Sequence, residues 1–93
     1  MDQVVLEPIN TDVGVGSRWM VVISNNDTNS ADEVIDVLIR ATGCSIEEAA
    51  IETWEAHTYG KASVHFASKE DCNVAASIIR EIGVATDVLP EWD

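Results

Sequence analysis

Residues 18–33 read RWMVVISNNDTNSADE, and the strongest structural signals of the chain begin here. The first part of this stretch, Arg18 to Ile23, is a short apolar run rich in Val and Ile, which is typical of a β-strand. The turn-forming residues Ser24 to Asn29 follow, and their Asn and Asp side chains can bond their own backbone. Ser30-Ala31-Asp32-Glu33 then matches a capping box, in which the Ser and Glu side chains satisfy the first amides of a helix. The stretch therefore predicts a strand, a polar turn and a helix.

The remaining elements are predicted from the same kinds of signal: Ser at helix starts, Gly at helix ends and a period of two in strands. They are a first helix to Thr42, a second helix over 46–59, a strand over 62–66, a third helix over 69–82 and a last strand over 84–89. The order strand, helix, helix, strand, helix, strand predicts an α+β domain, with three helices on one face of a small three-stranded antiparallel sheet.

A chain of 93 residues is long enough for one domain. We expect residues 18–93 to form its core. In residues 1–17 the short apolar segment Val4 to Leu6 is flanked by polar and turn-prone residues, so this part is expected to be a flexible N-terminal extension. The tryptophans Trp19, Trp54 and Trp92 could mark an interface. Two of them, Trp19 in the first strand and Trp54 in the second helix, fall at core spacing and are expected to pack inward.

The charge of the chain excludes several classes of partner. The net charge is −12, with 17 acidic residues against 5 basic ones, so a nucleic-acid backbone or an anionic membrane surface would be repelled. A cationic ligand or a basic partner surface is favoured. The chain starts without a basic signal-peptide region, and Cys44 and Cys72 lack metal-ligand spacing and are interpreted as reduced thiols. These features indicate a cytoplasmic protein.

Motifs for catalysis, metal binding or cofactor binding are missing from the sequence. No GxSxG motif is present, and neither cysteine has a histidine close to it in sequence. His57 and His65 are separated by Gly60 and are expected on different elements, so they do not suggest a metal site. The glycines near the N-terminus do not complete a phosphate-binding loop. The sequence therefore predicts a binding domain without enzymatic activity, metal or cofactor.

Two features are candidates for that binding site, and each has a structural alternative. The turn Asn25-Asn26-Asp27 presents several hydrogen-bond acceptors, which suit an ammonium group with its three donors. The same turn is equally consistent with a solvated cap of the next helix. His57 is a possible further acceptor, or a histidine that ends a helix, where the dipole favours its charged form.

The motifs of the chain, taken in order, resemble the ClpS family. They are the strand Trp19 to Ile23, the turn Asn25-Asn26-Asp27, the helix segment Asp32 to Leu38, and Glu55 to Ala62, which contains His57-Thr58-Tyr59-Gly60-Lys61-Ala62. The similarity extends over about residues 18–89. It implies the ClpS fold, which is shared with the C-terminal domain of a ribosomal stalk protein, and this agrees with the predicted order of elements.

The resemblance also implies a function. ClpS-like adaptors bind the N-terminal residue of a protein to be degraded, the N-degron, and deliver that protein to a ClpA-type or ClpC-type AAA+ unfoldase with ClpP. The expected substrates have bulky hydrophobic N-terminal residues. The implied residues are Asn25, Asn26, Asp27 and His57 for the α-amine, Ala31, Val34, Thr53 and Ala56 for the side-chain pocket, and Glu70 for unfoldase docking.

The chain departs from the family pattern at positions that matter for specificity. Asn26 replaces an acidic residue, and Ala31 and Thr53 replace two pocket methionines. A later basic docking position is Ala75. In the family, the first methionine excludes β-branched side chains by steric clash. We therefore expect this chain to accept Ile and Val at the substrate N-terminus beside Leu and the aromatic residues.

Two other functions are consistent with the same residues. The pocket would also suit a regulatory domain that binds a free amino acid or amine, which would not bind protein N-termini. A structural protein-interaction domain would show no dependence on a free amine. If neutral His57 accepts a hydrogen bond from the ammonium group, binding should weaken as the pH falls and the imidazole takes up a proton.

Overall fold

The computed structural model describes residues 18–91, so the extension predicted at residues 1–17 lies outside the described residues. The elements are β1 (Trp19–Ser24), α1 (Ala31–Thr42), α2 (Ile46–Tyr59), β2 (Lys61–Ala67), α3 (Lys69–Arg80) and β3 (Thr86–Pro90). Their order is the predicted one. The predicted fold class is confirmed: an α+β domain with three helices and a three-stranded antiparallel sheet.

The first strand in the chain is the central strand of the sheet. β1 pairs with β2 on one side and with β3 on the other, and both pairings are antiparallel. This position explains why β1 is the most apolar strand, with Val21 and Ile23 almost fully buried. The pairing with β2 has a bulge, because Val21 pairs with His65 and Val22 with Ser63. The end of β1 is therefore held in the sheet on both of its edges.

The helix starts and ends follow the capping chemistry of the sequence. At α1, the Ser30 hydroxyl accepts a hydrogen bond from the Glu33 amide at 3.2 Å, and the Glu33 carboxylate accepts from the Ser30 amide at 2.8 Å. A second capping box opens α2 at Ser45. Gly43 ends α1 in the left-handed region at a φ of 72°. Glycine adopts this conformation with less steric strain than any residue that has a Cβ atom. Both boxes confirm the predicted helix boundaries.

The core lies between the sheet and the helices. Val37 and Leu38 of α1 are fully buried, and α2 contributes only the small residues Ala49 and Ala56. α2 and α3 both pack against strands of the sheet, and both also pack against α1. The core residues are Val21, Ile23, Val37, Leu38, Ala49, Ala56, Ala62, Val64, Cys72, Ala75, Ala76, Ile79 and Val84.

One prediction about the core was wrong. Trp54 was expected to pack inward, but it is 57% exposed to solvent. The buried stripe of α2 contains Ala49 and Ala56, and at 100° per residue Trp54 lies about 140° around the helix from Ala49. The inner side of this helix is therefore lined by alanine, and the tryptophan faces outward.

No helix within residues 18–91 is long and apolar enough to cross a membrane. Both cysteines are free thiols, with Cys72 buried and Cys44 partly buried.

Candidate functional site

A cavity of about 370 Å³ lies between the turn after β1, the start of α1 and the C-terminal half of α2. Eight of the residues that line it are those predicted from the sequence for the amine and the side-chain pocket. They are Asn25, Asn26, Asp27, Ala31, Val34, Thr53, Ala56 and His57. The fold thus brings together side chains from three segments into one concave surface.

Backbone hydrogen bonds place the turn beside His57. The Asn25 amide donates a hydrogen bond to the Gly60 carbonyl at 2.9 Å. Gly60 directly follows α2 and is three residues after His57. The Ser24 amide donates to the Ala85 carbonyl at 3.0 Å, just before β3. Gly60 has a φ of 90°, a conformation that is strained for any residue with a Cβ. Gly60 therefore allows the chain to turn sharply after α2, so that the Gly60 carbonyl accepts the hydrogen bond from Asn25.

The Asn26 side chain holds the turn in shape. Its amide oxygen accepts hydrogen bonds from the backbone amides of Thr28 at 3.2 Å and Asn29 at 3.1 Å. Its amide nitrogen donates to the Asn29 side-chain oxygen at 3.0 Å. This is the local Asx-type bonding that stabilises a turn. The acceptor capacity of Asn26 is largely used within the turn itself.

The cavity also has polar side chains that form no such bonds among the described residues. Within residues 18–91, the side chains of Asn25, Asp27 and His57 form no hydrogen bond or ion pair, and all three residues are exposed at the mouth of the cavity. They offer an amide oxygen, a carboxylate and an imidazole nitrogen as acceptors. A ligand with several N–H donors, such as an ammonium group, matches this set.

The inner part of the cavity is lined by small and apolar side chains. Ala31 and Val34 come from the first turn of α1, and Thr53 and Ala56 from α2. The Thr53 hydroxyl donates to the Ala49 carbonyl of its own helix at 2.7 Å. Its only donor is therefore used, so Thr53 adds less polarity to the pocket than its residue type suggests.

Four residues that line the cavity were not predicted: Ile23, Ser24, Asn29 and Val84. Ile23 and Ser24 end a strand that was assigned to the core, and Asn29 was treated only as part of the turn. Val84 lies far from the turn in sequence. It reaches the cavity because the segment before β3 bonds to the end of β1 through Ala85. Of these four residues, only Asn29 could have been identified from the sequence, because it belongs to the polar run Ser24 to Asn29.

Glu70 lies outside this cavity. It is exposed in the first turn of α3. Ala75, at which the sequence resemblance places a basic docking position, is 1% exposed and belongs to the core. The docking role of Glu70 remains a prediction.

Known proteins share sequence and fold with this chain. Residues 16–85 match the model of the family described as "ATP-dependent Clp protease adaptor protein ClpS". The chain belongs to the ClpS family. The description of the family is that of an adaptor protein of the ATP-dependent Clp protease, and this match confirms the predicted family.

The fold is also that of a solved ClpS structure. The chain is similar to Agrobacterium tumefaciens ClpS2, whose structure contains bound L-phenylalaninamide. The two share 20% identity over 82% of this chain and 99% of that chain, with a TM-score of 0.75. At this identity the likeness shows a shared ClpS fold. No curated protein sequence matches the chain.

A second cavity of this ClpS domain, about 410 Å³, lies near the start of α2. Glu48 and Glu52 line it together with His65 of β2 and Cys44 of the corner between α1 and α2. One carboxylate oxygen of Glu52 is buried and has no hydrogen-bond partner within residues 18–91. Burial, and then the nearby charges of Glu48 and Glu55, raise the pKa of Glu52 to about 7.

We expect Glu52→Gln to stabilise the domain at pH 8 by about 1 kcal/mol, with little change at pH 4.5. The folded state holds the Glu52 proton more tightly than the unfolded state, because the pKa rises from 4.5 to about 7 on folding. The wild-type domain therefore loses stability as the pH rises between these values. The effect is moderate because the carboxyl group is only partly buried and water screens it.

Urea unfolding at pH 4.5 and pH 8 measures this effect, with Glu47→Gln on the exposed side of the same helix as the control. Equal pH dependence of the wild type and Glu52→Gln would show that Glu52 does not set it.

Proposed function

We propose that this chain binds the N-terminal residue of substrate proteins and delivers them to a Clp AAA+ unfoldase with ClpP for degradation. The observation that supports the proposal is the combination, within one cavity, of an apolar interior and three acceptors, from Asn25, Asp27 and His57, that have no partner among residues 18–91. A ligand with a free α-amine beside a hydrophobic side chain needs both the polar acceptors and the apolar interior. Ligand pockets are commonly built in this way, from an apolar body and a few placed polar groups.

The α-ammonium group would bind at the mouth of the cavity. Its three donors match the Asn25 amide oxygen, the Asp27 carboxylate and a neutral His57 imidazole. Asn26 has a different role in this proposal: it fixes the turn that carries Asn25 and Asp27. Asp27 then supplies the formal negative charge of the site, and the net charge of −12 assists the approach of a cation.

The side chain of the first substrate residue would fill the inner cavity. Bulky hydrophobic residues fit its apolar lining of Val34 and Ala56. The small side chain of Ala31 leaves room in the cavity for a methyl group on the Cβ of the substrate residue, so we propose that Ile and Val are accepted as well as Leu and Phe. L-phenylalaninamide, the molecule bound to the Agrobacterium protein, has a free α-amine and a bulky side chain, which is the same chemistry.

The proposed partner is a ClpA-type or ClpC-type unfoldase, with the exposed Glu70 on α3 as part of the docking surface. Glu70 lies outside the residues that line the amine cavity, so substrate and unfoldase could be bound together. In this role the chain acts in the cytoplasm, catalyses no reaction and requires no metal or cofactor.

A degradation assay tests the delivery step. Two folded reporters that differ only in the first residue, Leu or Gly, are incubated with ClpA–ClpP or ClpC–ClpP, with and without this chain. We expect the chain to accelerate loss of the Leu reporter severalfold with one of the unfoldases and to leave the Gly reporter unchanged. Equal effects on both reporters, or no effect with either unfoldase, would contradict the proposal.

A further inference from the structure

Asn29 is a cavity residue to which the binding of an amine assigns no role. It lies at the end of the turn before α1, lines the cavity and is partly buried. Its side-chain oxygen accepts a hydrogen bond from the Asn26 side-chain nitrogen at 3.0 Å. The orientation of Asn26 is itself fixed, because its oxygen accepts from the backbone amides of Thr28 and Asn29. The Asn29 oxygen therefore faces Asn26, and the other end of this side-chain amide is the nitrogen.

The Asn29 side-chain nitrogen has two N–H donors that no protein group uses. Within residues 18–91, the bond from Asn26 is the single hydrogen bond of the Asn29 side chain, and it involves only the oxygen. A partly buried donor without a protein partner is satisfied by water or by a ligand, because an unpaired donor costs free energy. The cavity thus places an oriented donor beside the acceptors of Asn25, Asp27 and His57.

The first residue of a protein needs such a donor in addition to acceptors. Its ammonium group only donates, but the carbonyl oxygen of its first peptide bond is an acceptor. Standard bond lengths keep this oxygen less than about 4 Å from the amine nitrogen. A donor for the carbonyl must therefore lie close to the acceptors for the amine. Asn29 meets this condition, because it belongs to the same turn as Asp27 and lines the same cavity.

The Asn25 side chain also carries free N–H donors, but two observations favour Asn29. Asn25 is exposed and no bond within the described residues fixes its side chain, whereas Asn29 is partly buried and held by Asn26. A group that is already held in place loses less freedom when it binds a ligand. Asn29 also directly precedes Ser30, the N-cap of α1, where the positive end of the helix dipole favours an acceptor oxygen.

We propose that the side-chain nitrogen of Asn29 donates a hydrogen bond to the carbonyl oxygen of the first substrate residue. This inference rests on the proposed function, because it requires the α-amine to occupy the acceptors of the turn. It narrows the class of ligand: the cavity selects an amine with a neighbouring carbonyl, as in a protein N-terminus or an amino-acid amide. A simple amine with the same side chain lacks that acceptor and binds more weakly.

Replacement of one atom in the peptide tests this bond. A Leu-initiated peptide is compared with the same peptide in which sulfur, a weaker acceptor, replaces the first carbonyl oxygen. For the wild type we expect the sulfur peptide to bind about two- to tenfold more weakly, the range for one neutral hydrogen bond. Asn29→Asp keeps an oxygen to accept from Asn26 but replaces the nitrogen donor with a second oxygen. In this variant the two peptides should bind about equally.

Two further variants complete the test. Thr28→Ala changes an exposed residue of the same turn that does not line the cavity, so it should keep the wild-type ratio of affinities. Asn29→Ala removes the donor without adding a charge, and its ratio should be about one. In each variant both peptides meet the same net charge, so charge cancels in the ratio.

The two proposals fail in different ways. If the wild type binds both peptides equally, or if either Asn29 variant keeps the wild-type ratio, Asn29 does not bind the carbonyl oxygen. If neither Leu-initiated peptide binds the wild-type chain, the proposed function itself is wrong.

Discussion

Asp27→Ala is expected to weaken binding of Leu-initiated peptides by about 10- to 100-fold, the usual loss when a hydrogen bond to a charged group is removed. The Asp27 carboxylate is the charged acceptor in the turn, because the adjacent position is Asn26 and the Asn26 oxygen already accepts two backbone amides. His57→Ala should cause a loss of similar size, because it removes a second acceptor from the cavity mouth. Titration of a fluorescent Leu-initiated peptide measures both effects.

Asp32→Ala is the matched control for Asp27→Ala. Asp32 is an exposed acid in the first turn of α1 and does not line the cavity, yet its replacement changes the net charge by the same amount. Its affinity for the peptide should stay within about twofold of wild type, as for a solvent-screened charge. Equal losses in the two variants would attribute the effect to overall charge rather than to a contact with the amine.

Ala31→Met is expected to reduce binding of Ile- and Val-initiated peptides at least about tenfold, and to leave Leu- and Phe-initiated peptides within about threefold. Ala31 is the first residue of α1 and lines the cavity beside Val34. A longer side chain at this position narrows the cavity. β-branched residues have little freedom at χ1, so they cannot turn their second methyl group away from the obstruction.

The selectivity experiment uses peptides that differ only in the first residue, with Ala31→Ser as a control that keeps the side chain small. The wild type and Ala31→Ser should bind all four peptides. If the wild type already rejects Ile and Val, the space left by Ala31 does not determine selectivity, and another cavity residue excludes β-branched side chains.

The local chemistry of the sequence was enough to predict the order of the elements. Ser30 and Ser45 each open a helix with a capping box, and Gly43 and Gly60 end α1 and α2 in the left-handed conformation. These interactions are made between residues close in sequence, so a pattern can identify them. The resemblance to ClpS added the assignment of eight residues to one site, and the fold places all eight around one cavity.

Features that depend on packing between distant segments could not be predicted in this way. The rotation of α2 about its axis depends on which face packs against α1 and the sheet. In this packing Trp54 faces solvent, although its spacing in the sequence fits a core position. The contribution of Val84 to the cavity depends on a hydrogen bond between Ser24 and Ala85, which no local pattern reveals.

The sequence also could not predict which hydrogen-bond partner each polar side chain of the turn would use. Asn25 and Asn26 are adjacent and identical in type, but only Asn26 uses its side chain to bond the turn within the described residues. The sequence assigned the same role to both. The structure separates them, since Asn26 shapes the turn whereas Asn25 keeps its side-chain oxygen available.

If the cavity binds a free α-amine, blocking that amine must abolish most of the affinity, and a single pair of titrations measures this. The wild-type chain is titrated with a Leu-initiated peptide and with the same peptide acetylated at its N-terminus. Acetylation removes the positive charge and two of the three donors but keeps the leucine side chain. We predict that the acetylated peptide binds at least about 100-fold more weakly, the loss expected for more than one hydrogen bond to a charged group. Equal affinities for the two peptides would show that the cavity does not bind a free α-amine.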